Sequence, residues 1–531
     1  MASNFSRTSS KLNLGCKRRT FLGITPDKWI RVFFFGNAWG AIIILLLIAF
    51  FLFKEGALFF KLNERNQKLY RMAGLEFVEE IKTTKADFTT IYRFLNTVRS
   101  EQMKTLQAQS IDYQDAADRC AALEDFSYDY LDLSSDLSDL DADLTSFVTE
   151  FRDRYQSNEN LREYKKTLLK SGKTAEAEEV KIEPIDFDAI RKHLKDQIPV
   201  YNAVCSALVD NIAKSTADFP ELPVGDSEAS IQKFRQLNQA FVQTIPVHID
   251  NMKAWNPDKP VSWLASFTAF IFGKEWITNS FWQDWYGLLP LFTGSLLVSG
   301  IALVIAVPAG VFAAIYVNQL ATPTEQKWVK PCIEFISAIP SVVLGFFGIA
   351  VLGETLRQVS NWSFLDFIPF FPISERLNAL TAGCLLALMA IPTIFTLSED
   401  AINNVPKAYK EASYAIGATR LQTIIHIIIP TALSGIISAV LLGFGRVIGE
   451  TMVVLLCAGN RIAIPDFSQG LGALVAPVHT MTGIIAQEMG EVERGSIHYR
   501  ALFVLGIVLF FISLLVNWLA QKIVHRFKIS V

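Results

Sequence analysis

Six cysteines in 531 residues, with no CxxC pair among them, leave this sequence without a zinc ribbon or a thioredoxin-type redox motif. It also lacks a nucleophile–base constellation, a cluster with metal-ligand spacing and a complete nucleotide loop. Gly172-Lys173-Thr174 has the tail of a phosphate-binding loop. However, Thr167 stands where the first Gly is required and no strand precedes it, so the segment reads as a turn. Neither sign of charge dominates: the formal net charge is −3, which points to no nucleic-acid partner. These absences argue against a membrane enzyme and direct attention to the apolar runs.

Hydrophobic residues make up 51% of the chain, and several runs approach the roughly 20 residues that cross a bilayer. The fold class is therefore an all-α integral membrane protein. Candidate spans are 32–53, 288–317, 333–352, 377–397, 431–458 and 501–523. Arg7, Lys11, Lys17, Arg18, Arg19, Lys28 and Arg31 precede the first span, opposed only by Asp27. Lys327 and Lys330, then Lys407, Lys410 and Arg420, then Lys522, His525, Arg526 and Lys528 flank later ones. With six spans every basic cluster falls on one face, which places both termini in the cytoplasm and 54–286 largely outside. The first run is followed by no small-residue cleavage site, so it reads as an uncleaved anchor. Leu14-Gly15-Cys16 lacks the apolar run that a lipid-attachment site needs.

The organisation is then a tail (1–31), an anchor (32–53), an extracytoplasmic insertion (54–265) and a transmembrane core (266–531) with a cytoplasmic loop at 398–430. In the insertion, Phe126, Tyr130, Leu133, Leu137, Leu140, Leu144, Phe147 and Phe151 alternate steps of four and three, which predicts one long coiled-coil-like helix. Its opposite face carries Asp125, Asp129, Asp132, Asp136, Asp139, Asp141 and Asp143, spaced as a solvated helix face and not as a calcium loop. Similar seams begin at Phe77, Ile190 and Ile231, and prolines punctuate them. Four amphipathic helices of this kind fit an antiparallel bundle, and a 35-residue helix projects about 50 Å. His193 and His248 read as surface residues. Cys120 and Cys205 either form a disulfide outside the cell or remain two shielded thiols, the plainer reading. Residues 470–495 are moderately amphipathic and suggest a helix on the outer membrane surface.

Candidate chemistry concentrates in 411–460. The span 431–458 holds Arg446 and Glu450 near its middle, where a charge costs roughly 2.5–3.5 kcal/mol on insertion scales. Four residues apart on one helix, the two share a face. They are either an intrahelical ion pair or part of an ion path, and Arg-before-Glu is the weaker order for a pair. A guanidinium presents planar donors suited to an oxyanion such as phosphate. Glu450 can orient Arg446 or accept a proton from the anion.

The loop before this span carries Glu411-Ala412-Ser413, then Gly417, then Ile427-x-Ile429-Pro430. This spacing resembles the EAA signature of ABC-importer permeases, with Ser413 for the usual Ala and Ile429 for the usual Leu. Residues 442–452, LGFGRVIGETM, resemble the LGLGRALGETM motif of phosphate-importer permeases, and Gly459-Asn460 falls where that family has GN. Residues 334–348, EFISAIPSVVLGFFG, resemble its IELLAAIPSIVYGFFG region, and Phe272-Gly273 with Trp276 its F-G-x-x-W entry. The likeness runs from about 270 to 526 and is nearer the C-type than the A-type subunit. It departs at the long insertion, for which C-type permeases have only a short loop.

The resemblance implies a MetI-like core with Arg446, Glu450 and the adjacent Thr451 on the substrate pathway. It makes Glu411, Ala412, Ser413 and Gly417 the contact with a cytoplasmic ATPase dimer. The implied partners are a second, A-type permease and a periplasmic phosphate-binding protein in the lipid of the inner membrane. This chain is then no enzyme and binds neither cofactor nor metal; ATP and Mg belong to the ATPase. Two alternatives stand beside this: an importer of another oxyanion (molybdate or sulfate), and a membrane sensor whose bundle binds a ligand.

Overall fold

A computed structural model of the chain describes residues 26–527 apart from 110, 225–226, 279, 281, 366–367 and 369–370. The basic residues at 7–19, Cys16 and Lys528 lie outside the described residues. Helix α1 (Pro26–Met72) has 47 residues, about 70 Å at 1.5 Å per residue. That is twice the hydrocarbon thickness of a bilayer, so α1 cannot end at 53 as the apolar run suggests. Its last turns enter the bundle, where Tyr70 and the following Ala73 join the apolar core.

The bundle is built from α2 (Leu75–Ala108), α3 (Tyr113–Asp132), α4 (Ser135–Lys170), a short α5 (Thr174–Glu179), α6 (Phe187–Asp196), α7 (Ile198–Ala217) and α8 (Ser227–Ala254). α3 with α4, and α6 with α7, each form one track, so four tracks enclose a single core. The seam from Phe126 to Phe151 differs from expectation in being interrupted at Leu133–Ser134. There the Ser134 hydroxyl donates to the Leu131 carbonyl at 2.8 Å, a local bond that competes with the helix ladder. Burial continues across the kink through Tyr130, Ser134 and Leu137.

Aromatic packing fixes the centre of this core. Phe88 stacks on Tyr130 with ring centroids 4.9 Å apart and meets Phe241 edge-on. Buried hydroxyls are paired, as their desolvation requires: Tyr130 donates to Asn238, and Tyr201 bonds Thr84 at 2.6 Å. Two expectations change. Asp141 lies off the solvated face, buried and bonded to Lys85 at 3.1 Å. His248 is also buried, with Nδ1 2.6 Å from Glu80, whereas His193 is exposed. Cys120 packs with Leu106 and Ala116 and Cys205 lies in the main core; both thiols are buried and free, in agreement with the plainer reading of two shielded thiols.

A polar joint ties the bundle to the membrane core. Past α9 (Trp263–Phe272), strands β1 (Trp276–Ile277) and β2 (Trp285–Tyr286) form a small antiparallel hairpin. Trp282 donates its indole N–H to Glu79 at 2.6 Å, Lys82 sits over the same ring, and Arg152 donates to the Trp282 carbonyl. Burial pushes the Glu79 carboxyl above its usual range, against the Trp282 hydrogen bond and the Lys82 charge. Asn63 of α1 donates to Ser266 of α9 at 3.0 Å.

The membrane core follows: α10 (Leu289–Ile315), α11 (Pro323–Ile336), α12 (Ser341–Phe347), α13 (Gly353–Ser360), α14 (Ala379–Asn403), α15 (Lys407–Ala415), α16 (Arg420–Thr423), α17 (Ile429–Ile448), α18 (Met452–Cys457), α19 (Met481–Glu488) and α20 (Ile497–Phe527). α10, α14 and α17 pack together at its centre, and α20 packs on both α1 and α17. Among the described residues six helices are long and apolar enough to cross a membrane: Phe33–Met72, Leu289–Leu320, Ser341–Ser360, Ala379–Asn403, Arg420–Ile448 and Ile497–Ile523.

The number agrees with expectation, but several boundaries shift, those of the third and fifth spans at both ends. The third span begins at Ser341 and not at 333, because Pro340 is extended (φ −60, ψ 138) and separates α11 from α12. The fifth ends at Ile448 and not at 458, because the chain turns at Gly449. Residues 470–495 do not form a surface helix: a 3-10 stretch, Phe467–Val475, and an extended run lead to α19, whose Met481, Thr482, Gly483 and Ile484 are buried.

Removing the central ring of the bundle tests its packing. Phe88→Ala is expected to lower local stability by roughly 3–5 kcal/mol. Hydrogen exchange of the α2 and α8 amides in the intact, detergent-solubilised protein measures this; unchanged exchange would show that the ring stack does not hold the bundle.

Candidate functional site

Helix α15 starts after Pro406, whose extended backbone (φ −57, ψ 132) closes off α14, and it runs for nine residues. It ends in a Schellman turn. The Gly417 N–H donates to the Tyr414 carbonyl at 3.0 Å and the Ala418 N–H to the Ser413 carbonyl at 3.2 Å. Gly417 takes φ +86, a left-handed conformation that disfavours any Cβ, although the space around it is open.

Within the Glu-Ala-Ser triplet the three residues divide by burial. Glu411 and Ala412 are exposed, whereas Ser413 is buried and shares a 2.9 Å hydrogen bond with the hydroxyl of Thr423. Serine in place of alanine thus anchors α15 to α16. Thr419 and Gln422 form a capping box at the start of α16, and Arg420 donates to the Gln319 carbonyl at the end of the second span. The outward side of this loop is apolar, with Tyr414, Ile416, Leu421 and Ile425 exposed. Burial, and then the like charge of Lys407, pull the Lys410 ammonium below its usual range.

Arg446 occupies the last turn of α17 and is exposed on this chain. It donates from Nη1 to the Thr393 hydroxyl of α14 at 2.9 Å. Glu450 lies beyond the helix end, and its Oε1 accepts from the Met452 N–H at 3.2 Å, at the entrance to α18. The expectation that Arg446 and Glu450 share one helix face is therefore corrected. Because α17 stops at Ile448, the two side chains turn to different partners, and neither pairs with the other. Thr451 takes the N-cap position of α18, and its carbonyl accepts from the Leu455 N–H at 3.0 Å.

The structure adds residues that the sequence reading did not single out. Thr393 follows Pro392 in an apolar helix and carries no motif. Thr480 and Thr482 come from 476–482, a buried stretch packed against the break. Thr480 caps α19 by accepting from the Gly483 N–H at 3.1 Å, and Thr482 donates to the Glu450 carbonyl at 2.8 Å. Thr480 three residues before Gly483, at the head of an apolar run, is the one legible signal, since a Thr there marks a helix start.

Residues 306–529 match the family described as binding-protein-dependent transport system inner membrane component. A relative from Bacillus subtilis (strain 168), the probable ABC transporter permease protein YqgH, is 34% identical over 261 residues, 48% of this chain and 79% of its own. The phosphate transport system permease protein PstC of Haemophilus influenzae is 30% identical over 268 residues, 48% of this chain and 82% of its own. A solved structure of the MetNI methionine ABC transporter, inward-facing, aligns with 45% of this chain and 94% of its own at 19% identity and a TM-score of 0.32, and nothing further follows from it. With six apolar spans, the fold and these matches define a multi-pass inner-membrane component of an ABC importer. The chain belongs to the PstC-like family of ABC transporter permeases.

Gly417→Ala puts a Cβ where only the backbone conformation opposes it. It is expected to cost about 1–2 kcal/mol, read as faster hydrogen exchange at 413–418 with the rest of the protein unchanged. Wild-type exchange there would show that the left-handed turn does not hold the end of α15.

Proposed function

We propose that this permease carries inorganic phosphate across the inner membrane, with Arg446, Glu450 and Thr451 on the substrate pathway. The observation that carries this reading is Arg446 itself. It is an exposed guanidinium at the end of a helix otherwise apolar enough to cross a bilayer, and among the described residues it is held by one neutral hydroxyl and by no carboxylate. Its remaining donors are free for the oxygens of an anion, which they fit in a planar fork. Relatives whose names describe phosphate transport support phosphate over molybdate or sulfate.

In this reading an A-type permease supplies the other wall of the pore. An ATPase dimer, using ATP and Mg, docks on α15 through Glu411, Ala412 and the turn at Gly417, with Ser413 fixing the helix from behind. The exposed apolar side chains Tyr414, Ile416 and Leu421 give that contact its area. A periplasmic phosphate-binding protein delivers the anion from the opposite face. Both termini then lie in the cytoplasm, and the bundle lies outside. The bundle lies before the matched residues 306–529, so its role is not inherited from the family.

Arg446→Ala is expected to abolish uptake of labelled phosphate while the complex still assembles. Arg446→Lys is expected to restore it only in part, because an ammonium lacks the planar fork. Normal uptake by the alanine variant would overturn the pathway assignment, and uptake of labelled molybdate or sulfate that excess phosphate fails to compete would move the assignment to another oxyanion.

A further inference from the structure

The extended run 476–480 is pinned on three sides. The Ala379 N–H donates to the Ala476 carbonyl at 3.1 Å, the Val478 N–H donates to the Ala458 carbonyl at 2.8 Å, and the Met481 N–H donates to the Ser295 hydroxyl at 2.9 Å. Helix α10 comes so close at Gly294 that a Cβ there would stand 2.1 Å from the His479 carbonyl oxygen. A segment held this firmly presents Thr482 to the helix break at a fixed place.

The break leaves a backbone group in need of a partner. α17 ends at Ile448 and the ladder of α18 begins with the Thr451 carbonyl, which accepts from Leu455. The Glu450 carbonyl between them accepts from the Thr482 hydroxyl, 32 residues later in the chain. Thr482 is buried, so removing its hydroxyl leaves the carbonyl without that donor, and the shape of the turn depends on the bond.

We infer that Thr482 is a positioning residue of the anion path: its hydroxyl holds the Glu450 carbonyl and thereby fixes the turn that separates Arg446 from the Glu450 carboxylate. This rests on the pathway reading of Arg446 and Glu450 given above. Thr482 is buried and touches the path only through the backbone it supports. Because the contact is made by one hydroxyl, serine retains it and the near-isosteric valine does not.

The test uses the full chain in its assembled transporter and compares Thr482→Val with Thr482→Ser. Labelled-phosphate uptake, normalised to the amount of assembled complex, is expected to fall about fivefold or more for valine and to stay within about twofold for serine, as loss of one buried hydrogen bond implies. ATP hydrolysis by the complex is expected to stay at wild-type values for both, and its melting temperature to fall by no more than about 2 °C for valine. Wild-type uptake by the valine variant would overturn the inference, as would equal loss in valine and serine. Loss of uptake that tracks a melting temperature lowered by more than about 2 °C would also overturn it, because that marks a merely structural role. Arg446→Ala serves as the control. If it transports normally, the pathway reading itself fails; if it is inactive while Thr482→Val is normal, only the positioning role fails.

Discussion

Backbone N–H and C=O groups are obligatory hydrogen-bonding groups, and the break after Ile448 interrupts the helical ladder that would satisfy them. A spanning helix that stops short leaves its last carbonyls without partners. Here the repair comes from several directions at once: the Gly449 and Glu450 N–H groups bond back to Gly445 and Val447, the Glu450 carboxylate takes the Met452 N–H, and Thr482 supplies the missing donor. Residues 476–482 are in turn held by α10, α14 and the end of α18. The close approach at Gly294 and the start of α19 lie along the same segment that supplies this donor.

The break also changes the electrostatic meaning of two charges. In a continuous helix an Arg four residues before a Glu is the less favourable order. Split the helix between them and the order becomes the favourable one. Arg446 sits in the last turn of α17, at the negative end of its dipole, and Glu450 at the entrance to α18, where N–H groups point outward. Each charge is matched by the backbone, so neither needs the other as a counter-ion. Arg446 is then steadied by a neutral partner, Thr393, and keeps its charge available.

The sequence made the class and the number of spans legible, because apolar runs and basic flanks are set by the bilayer and need no tertiary knowledge. The bundle was legible for a similar reason: seams such as that of Tyr130, Leu137 and Leu144 record which face is buried. Hydropathy could not locate ends. α1 continues to Met72 because amphipathic packing in the bundle replaces lipid as the partner of its last turns. The run 431–458 is apolar throughout, so nothing in its hydrophobicity marks the turn at Gly449. Thr393 and Thr482 were invisible because a lone threonine in an apolar segment gains its meaning from a neighbour 53 or 32 residues away. His248 illustrates the converse: a histidine on an amphipathic helix looks solvated until Glu80 closes over it.

The loop and the break lie at opposite ends of one continuous helical element. Ser413 locks α15 to Thr423, Arg420 ties the same loop to the end of the second span, and a π-helical turn at Ile424–Ile428 leads without interruption into α17. These bonds connect α15 to α17 through continuous helical backbone, and α17 carries Arg446 at its far end. Packing between α14 and α17 resists internal deformation, so the simplest response to a push is movement of the helix as a body. Arg446 and Thr393 would travel together, because they sit on α17 and α14 and are bonded. Glu450 is held instead by α18 and, through Thr482, by the segment packed on α10. Relative motion between these two groups would change the separation of Arg446 and Glu450 at the turn between Ile448 and Met452. Under the proposed function, that turn is where force received at the cytoplasmic loop alters the environment of the anion.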